Sequence, residues 1–470
     1  MRTQTDNEKE LLQNPYFRLP VTFDPDKFYG SERWVRHILE AASATPTHDL
    51  ELFGLPGMAK TTLLRYCADP NGAFMHHLEM LAGIYEKEPW RILPVLIEFR
   101  QLPPKMHPIT FIYKRLCEEY AGYRERTLPK KLGLPDLLDA PPAYAGMAAT
   151  DAATAIEAAT RRIAGRGVRI VLLLDDFDIG FETMSEEETT RLRPWREYVA
   201  FILATERPLH EVNPAAIGSP FFQTLPLIRL GGLTPEEARQ MLEIPANESG
   251  HPFPEADVEF ILQQAGGHPY LLILGGRALW NSRERLGLLD SDEALPAEHA
   301  AVLRGRLQED FGRTFQMYQA RLATGEQDAL RHLVKSELSE EDFVALASLE
   351  GKGLVKYEQG QGEQRGKYEA FSPLYASFIG NLPAATGPPE PNLNGMEAAL
   401  YAYLRAHQDR ICSFAELWRE VWGRPEREES ADHMRRRMQV TVSRLRKKLP
   451  AIGEDINSVR DQGYRFVARG

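Results

Sequence analysis

An α/β body built on a parallel sheet, a helix-rich region after it, and a separate basic domain at the C-terminal end is the architecture this 470-residue sequence predicts. Three observations carry that prediction. Short apolar runs at 49–53, 92–99, 168–174 and 198–204 alternate with helical patterns, as in sheets covered by helices on both faces. After Leu227-Ile-Arg-Leu-Gly-Gly the texture becomes helical. The net charge is −11, yet residues 395–470 hold 15 basic and 11 acidic side chains, so an acidic body carries a basic tail domain.

Composition narrows the class. Hydrophobic residues at 43% exclude a disordered chain. No repeat of 20–50 residues points to a solenoid or propeller. The longest unbroken apolar runs, 198–204 and 398–404, fall far short of the roughly 20 residues of a membrane helix, and the first ten residues lack the apolar core of a signal peptide. Cys67, Cys117 and Cys412 show no C-x-x-C spacing, which excludes a disulfide framework and a zinc ribbon and fits a reducing, cytoplasmic setting.

The elements follow in order. Residues 31–43 read as an amphipathic helix capped at Ser31, and 49–53 as a strand entering a Gly-rich turn. A helix starts at Lys60; 92–99 is the second strand, 105–165 mainly helical, 168–174 the third strand and 198–204 another β-type run. Thr234-Pro235-Glu236-Glu237 combines an N-cap, a first-turn proline and first-turn acids. Helical patterns continue over 255–285 and 295–322, and 326–380 predicts a small helical unit with a hairpin turning at 359–366. Residues 381–394 contain four prolines and read as an extended linker.

The turn after the first strand reads Gly54-Leu55-Pro56-Gly57-Met58-Ala59-Lys60-Thr61-Thr62. This is the spacing of a phosphate-binding loop, G-x-x-x-x-G-K-[ST], with Ala59 where glycine is usual. Backbone amides of such a loop cradle phosphate oxygens; Lys60 would reach the β- and γ-phosphates, Thr61 would hold Mg²⁺, and Thr62 could touch the α-phosphate. Ala59 is tolerable there if its φ is negative. The apolar run Val171-Leu-Leu-Leu174 ends in Asp175-Asp176, two carboxylates that suit a cation shell (Asp175) and an attacking water (Asp176). The shorter aspartate in place of the usual glutamate predicts slow hydrolysis. Asp178 reads as a solvated acid or a helix cap.

Residues 14–380 resemble AAA+ and STAND NTPases of the origin-recognition type: a P-loop core, a helical lid and a winged-helix unit. The resemblance implies a sensor strand at Phe201-Ile-Leu-Ala-Thr205-Glu206-Arg207, with Thr205 or Arg207 reading the γ-phosphate, Arg207 being the catalytic candidate. Gly266-Gly-His268-Pro269-Tyr270 resembles the lid element that contacts nucleotide, although His268 could equally cap a helix. Phe28-Tyr29-Gly30 resembles the segment beside adenine. ATP and Mg²⁺ are the implied cofactors.

In the tail, Met438, Val442, Leu445 and Leu449 make one apolar helical face, and no acid lies between Arg435 and Lys448. Glu416-Leu-Trp-Arg-Glu-Val-Trp-Gly423, Val440-Thr-Val-Ser-Arg-Leu-Arg-Lys-Lys-Leu449 and Val459-Arg-Asp-Gln-Gly-Tyr-Arg-Phe466 resemble the OmpR/PhoB-type winged helix-turn-helix. That resemblance places the long helix in the DNA major groove, with Arg436, Thr441, Ser443, Arg444, Arg446 and Lys447 as its contacts, and Ser458 and Arg460 on the wing. The expected fold is therefore an α/β P-loop NTPase core with helical lid and winged-helix unit, plus a separate C-terminal winged helix-turn-helix. The expected divisions are a lead-in (1–20), core (21–232), lid (233–322), winged-helix-like unit (323–380), linker (381–394) and DNA-binding domain (395–470). The expected function is a slow ATPase acting as a regulatory switch on DNA, with homo-oligomerisation open. A STAND-type sensor of a bacterial conflict system whose tail binds a protein partner is the alternative, and a DNA motor or loader a third reading.

Overall fold

The computed structural model describes residues 14–17, 32–130, 132–134, 147–213, 216, 219, 221, 225–358, 366–382, 395–408, 410–422, 431–449, 454–459 and 462–468. The chain divides into two compact units: residues 1–321 with 329–380, and residues 322–328 with 381–470.

The first unit is built on a five-stranded parallel sheet in the order β2-β3-β4-β1-β5. Its strands are β1 (Leu50–Phe53), β2 (Ile92–Glu98), β3 (Arg169–Asp175), β4 (Val199–Thr205) and β5 (Leu227–Arg229). Parallel pairing runs from Leu50↔Ile202 to Phe53↔Thr205, and from Ile170↔Val199 to Leu174↔Leu203. The apolar runs form strands because both faces are covered. Ile170, Leu172 and Leu174 pack against the side holding α3 (Pro108–Arg124) and α4 (Ala149–Ala164). Val171 and Leu173 pack on the opposite side, with α1 (Glu32–Ser43) and α2 (Lys60–Ala68). A strand's period of two thus distributes one continuous apolar run between two cores.

The first unit continues through α5 (Pro235–Glu248), α6 (Glu255–Ala265), α7 (Pro269–Arg285) and α8 (Ala297–Gln319). Thr234 and Glu237 cap α5 reciprocally, satisfying two otherwise orphaned amides. Gly266 ends α6 at φ 63°, and a Cβ there would run into the Phe371 carbonyl, so glycine permits the later segment to lie directly on the α6–α7 turn. That segment comprises α9 (Thr324–Lys335), α10 (Asp342–Gly351), the antiparallel pair β6 (Val355–Glu358) and β7 (Lys367–Ala370), and α11 (Pro373–Asn381).

The C-terminal unit contains α12 (Gly395–Ala406), β8 (Ile411–Ser413), α13 (Phe414–Trp422), α14 (Ala431–Lys448), β9 (Glu454–Val459) and β10 (Gly463–Ala468). The strands make an antiparallel sheet in the order β8-β10-β9. Sequence pattern predicted only helices before the hairpin; the three-residue β8 exists because β10 supplies its partner. Gly463 is obligatory there, since at φ 151° a Cβ would strike the Cys412 carbonyl. Met438, Val442, Leu445 and Leu449 of the long helix close a core with Leu404, Leu417, Trp418 and Phe466.

Candidate functional site

The loop between β1 and α2 lies at the C-terminal edge of the sheet, where β1 sits between β4 and β5. Gly57 and Ala59 have φ of 81° and 58°. Ala59 therefore adopts the left-handed conformation, contrary to the negative φ expected of it, at a cost of roughly 1–2 kcal/mol for an L-residue. Its position as N-cap of α2 demands the turn that glycine usually supplies. Lys60 is only 6% exposed, and its Nζ donates to the carbonyls of Gly54 (2.5 Å) and Leu55 (3.2 Å). Burial lowers the Lys60 pKa, against the opposing pull of Glu206, Asp175, Asp176 and Asp178.

Thr61 Oγ1 donates to Asp175 Oδ2 at 2.7 Å, joining the helix to the end of β3. Asp175 Oδ1 is buried with no hydrogen-bond partner. Burial pushes the Asp175 carboxyl up to about 6, aided by Asp176 and opposed by Thr61 and Lys60. An orphaned, desolvated acceptor beside a threonine hydroxyl fits a divalent cation or its water, and one or two such protein ligands suffice when phosphates supply the rest. Asp176 stands at φ 50° and pairs with Arg100, whose Nε lies 2.5 Å from Oδ2.

These groups line a cavity of about 680 Å³. Pro56, Gly57, Ala59, Lys60, Thr61 and Thr62 form one wall; Asp175, Asp176, Glu98 and Arg100 another; Pro269, Tyr270, Ile273, Met317 and Arg321 come from the α7–α8 region. Among the other expected residues, Gly54 and Met58 support the loop from beneath: Met58 is buried, and a Cβ on Gly54 would meet Leu230. His268 is buried rather than cavity-lining, and it caps α7, its Nδ1 accepting from the Leu271 amide. Its Nε2 meets the Tyr318 hydroxyl, which in turn donates to the Pro56 carbonyl of the loop. Burial lowers the His268 pKa to about 3, so the ring is neutral.

The end of β4 departs from the sequence expectation. Thr205 Oγ1 donates to the buried Glu51, and Arg207 pairs with Asp178 and Glu182 at 3.6 Å, so neither lines the cavity. Asp178 is buried against Arg207 rather than solvated, and burial raises its pKa. The residue that enters the cavity is Glu206, which bridges Arg100 (2.9 Å) and Arg321 (2.6 Å). Sequence reasoning missed Arg100, Glu206 and Arg321. Only Glu206, next in sequence to Asp178's partner Arg207 and at the end of an apolar strand, carried a local signal; the arginines meet it through 106 and 115 residues of chain separation.

On the C-terminal unit, Ser443 is exposed, while Thr441 and Arg444 are half-buried. Arg446 Nε donates to the Ile456 carbonyl at 2.6 Å and its Nη2 to Ser458 Oγ at 2.8 Å, so this arginine ties α14 to β9. Arg436 and Lys447 belong to α14 by backbone position. Tyr29 and Arg460 lie outside the described residues. No described helix is long and apolar enough to cross a membrane, and Cys67, Cys117 and Cys412 are buried and form no disulfide.

Residues 389–466 match the family model for "Transcriptional regulatory protein, C terminal". The C-terminal domain is thus a winged helix of the transcriptional-regulator type, following an α/β P-loop core. Among solved structures, the ORC2 protein of Aeropyrum pernix, in ADPNP-ADP complexes, is similar at 14% identity over 76% of this chain and 96% of that one, with a TM-score of 0.44. The ORC1 protein of Aeropyrum pernix, in complex with DNA, is similar at 14% identity over 78% and 96%, with a TM-score of 0.38. At these scores the likenesses add nothing to what strand order and loop geometry define. No curated protein sequence matches the chain.

Proposed function

We propose that the protein is an ATP-dependent DNA-binding regulator in which occupancy of the P-loop cavity governs how the C-terminal winged helix engages DNA. The observation that carries the nucleotide half is Lys60, desolvated and bonded only to loop carbonyls, beside a Thr61–Asp175 pair with one carboxylate oxygen unpartnered. Such groups gain most from a ligand that is anionic and brings a cation. The regulator-type match over 389–466 carries the DNA half.

Bound Mg²⁺ would neutralise the charge that develops on the transferred phosphoryl group. The chain's own contribution is positional. Lys60 exchanges the Gly54 and Leu55 carbonyls for phosphate oxygens, and Thr61 and Asp175 hold the cation shell. Arg100 keeps Asp176 engaged in an ion pair, so the carboxylate expected to orient water is occupied. That supports slow turnover and a switch rather than a motor. Arg321, reaching Glu206 from beyond α8, offers a link between phosphate occupancy and the helical region.

The test is DNA binding by wild type and Lys60→Ala, each with ATP, with ADP and without nucleotide. The expected result is a nucleotide-dependent affinity that the variant loses. Equal binding in every state would refute the coupling.

A further inference from the structure

Among the described residues, four carboxylates line the cavity beside the P-loop: Glu98, Asp175, Asp176 and Glu206. A wall of acids is costly in a site assigned to a polyanion, so each needs a reason. Glu98 pairs with Arg65 at 2.6 Å, Asp175 holds Thr61 and suits a cation shell, and Asp176 faces Arg100. Glu206 has neither a cation nor a water to serve. Its two oxygens are instead divided between two guanidinium groups. Oε1 accepts from Arg100 Nη2 at 2.9 Å, and Oε2 accepts from Arg321 Nε at 3.1 Å and Nη2 at 2.6 Å. Stability does not explain the clamp, because the Arg100 side chain is 64% exposed and water-accessible ion pairs contribute little.

The phosphate-binding lysine belongs to the same group of charges. Burial pushes the Glu206 carboxyl up, but Lys60, Arg321 and Arg100 outweigh it and hold it below its ordinary range. Of the acids acting on Lys60, Glu206 acts most strongly, ahead of Asp175 and Asp176. One carboxylate thus engages three cations of the cavity. Guanidinium forks bind carboxylate and phosphate oxygens with the same geometry, and a phosphate brings more charge and a third oxygen. We propose that Glu206 is an internal substitute for the terminal phosphate of a nucleoside triphosphate, holding Arg100 and Arg321 until that phosphate displaces it. A diphosphate leaves the clamp closed, so this one side chain sets how strongly the site discriminates between the two. The inference rests on the nucleotide reading above and adds the residue that fixes its selectivity.

The experiment titrates the full-length protein with ADP and with the β,γ-imido analogue of ATP, each with Mg²⁺, by calorimetry. Wild type, Glu206→Gln, Arg321→Gln and the double variant are compared after circular dichroism has checked their folding. Glu206→Gln is expected to bind the triphosphate analogue about tenfold more tightly, the worth of one released charge-assisted hydrogen bond, with ADP affinity little changed. In the Arg321→Gln background the gain is expected to shrink, because the arginine that Glu206 withholds is already gone. Glu206→Asp keeps the charge but is one methylene short of the bridge, and it is expected to move in the same direction as Glu206→Gln. Equal tightening for both nucleotides, no tightening, or the same gain with and without Arg321 overturns the inference and leaves nucleotide binding intact. A wild-type ratio in Glu206→Asp does the same should the amide variant fail to fold. Binding of neither nucleotide by the wild type overturns the nucleotide reading and this inference with it.

Discussion

Ala59 and Asp175 show how single residues set the character of the candidate site. Ala59 holds φ 58° without glycine's freedom, so Ala59→Gly removes strain from the folded state. The expected gain is about 1 kcal/mol, read as a rise in the urea midpoint; an unchanged or lower midpoint would contradict the strain. Asp175 carries a desolvation penalty instead. Its ordinary pKa of 3.8 rises to about 6 in the folded chain. The folded state therefore keeps the proton longer, and stability falls as pH rises from about 4 to 6, by on the order of 2–3 kcal/mol. Asp175→Asn is expected to stabilise the nucleotide-free protein at pH 8, with that advantage fading as pH drops through 6 towards 4. The same change is expected to abolish Mg²⁺-dependent nucleotide binding. A pH-independent difference would show that Asp175 is not the group responsible.

At the scale of elements, the P-loop and the helices beyond the sheet are joined by a short polar chain: the Pro56 carbonyl, the Tyr318 hydroxyl and the His268 ring that caps α7. Gly57 completes the contact, since a Cβ there would come within 2.9 Å of both His268 and Tyr270. Tyr318→Phe leaves the packing of α8 intact and removes the hydroxyl. The expected cost is about 1–2 kcal/mol by thermal unfolding, because the buried His268 ring and the partly buried Pro56 carbonyl lose a partner. Nucleotide affinity is expected to fall with it; affinity equal to wild type would show that the chain of bonds is structural alone. On the C-terminal unit, Arg446 links α14 to β9. Arg446→Ala is therefore expected to weaken DNA binding more than Arg444→Ala, with β9 amide exchange accelerated only in the former.

For the whole molecule, the uneven charge predicts the form of DNA binding. A basic C-terminal segment on an acidic chain should bind through phosphate contacts, with affinity falling linearly on a log–log salt plot. Replacing Arg444 with alanine is expected to reduce that slope by about 1. A slope near zero in the wild type would instead indicate a protein-binding role for the domain.

The alternation of apolar runs with helices, the Gly54–Thr62 loop and the Asp175-Asp176 strand end were legible in the sequence because each depends on residues adjacent in the chain. The buried stripe of α14 was legible for the same reason, since helical periodicity is local. Strand order, the pairing of β8 with β10, and the left-handed turn at Ala59 depend on partners far away in sequence. So does the cavity's charge arrangement: Arg100, Glu206 and Arg321 converge only after the sheet and helices assemble, and Arg207, equally plausible by position, faces Asp178 instead. The sequence by itself determined the order of elements, the loop after β1 and the paired carboxylates after β3, because chemistry and local spacing are written in order along the chain. Tertiary structure alone decided which charges face one another across the cavity, because Coulombic and hydrogen-bond partners are chosen by distance in space.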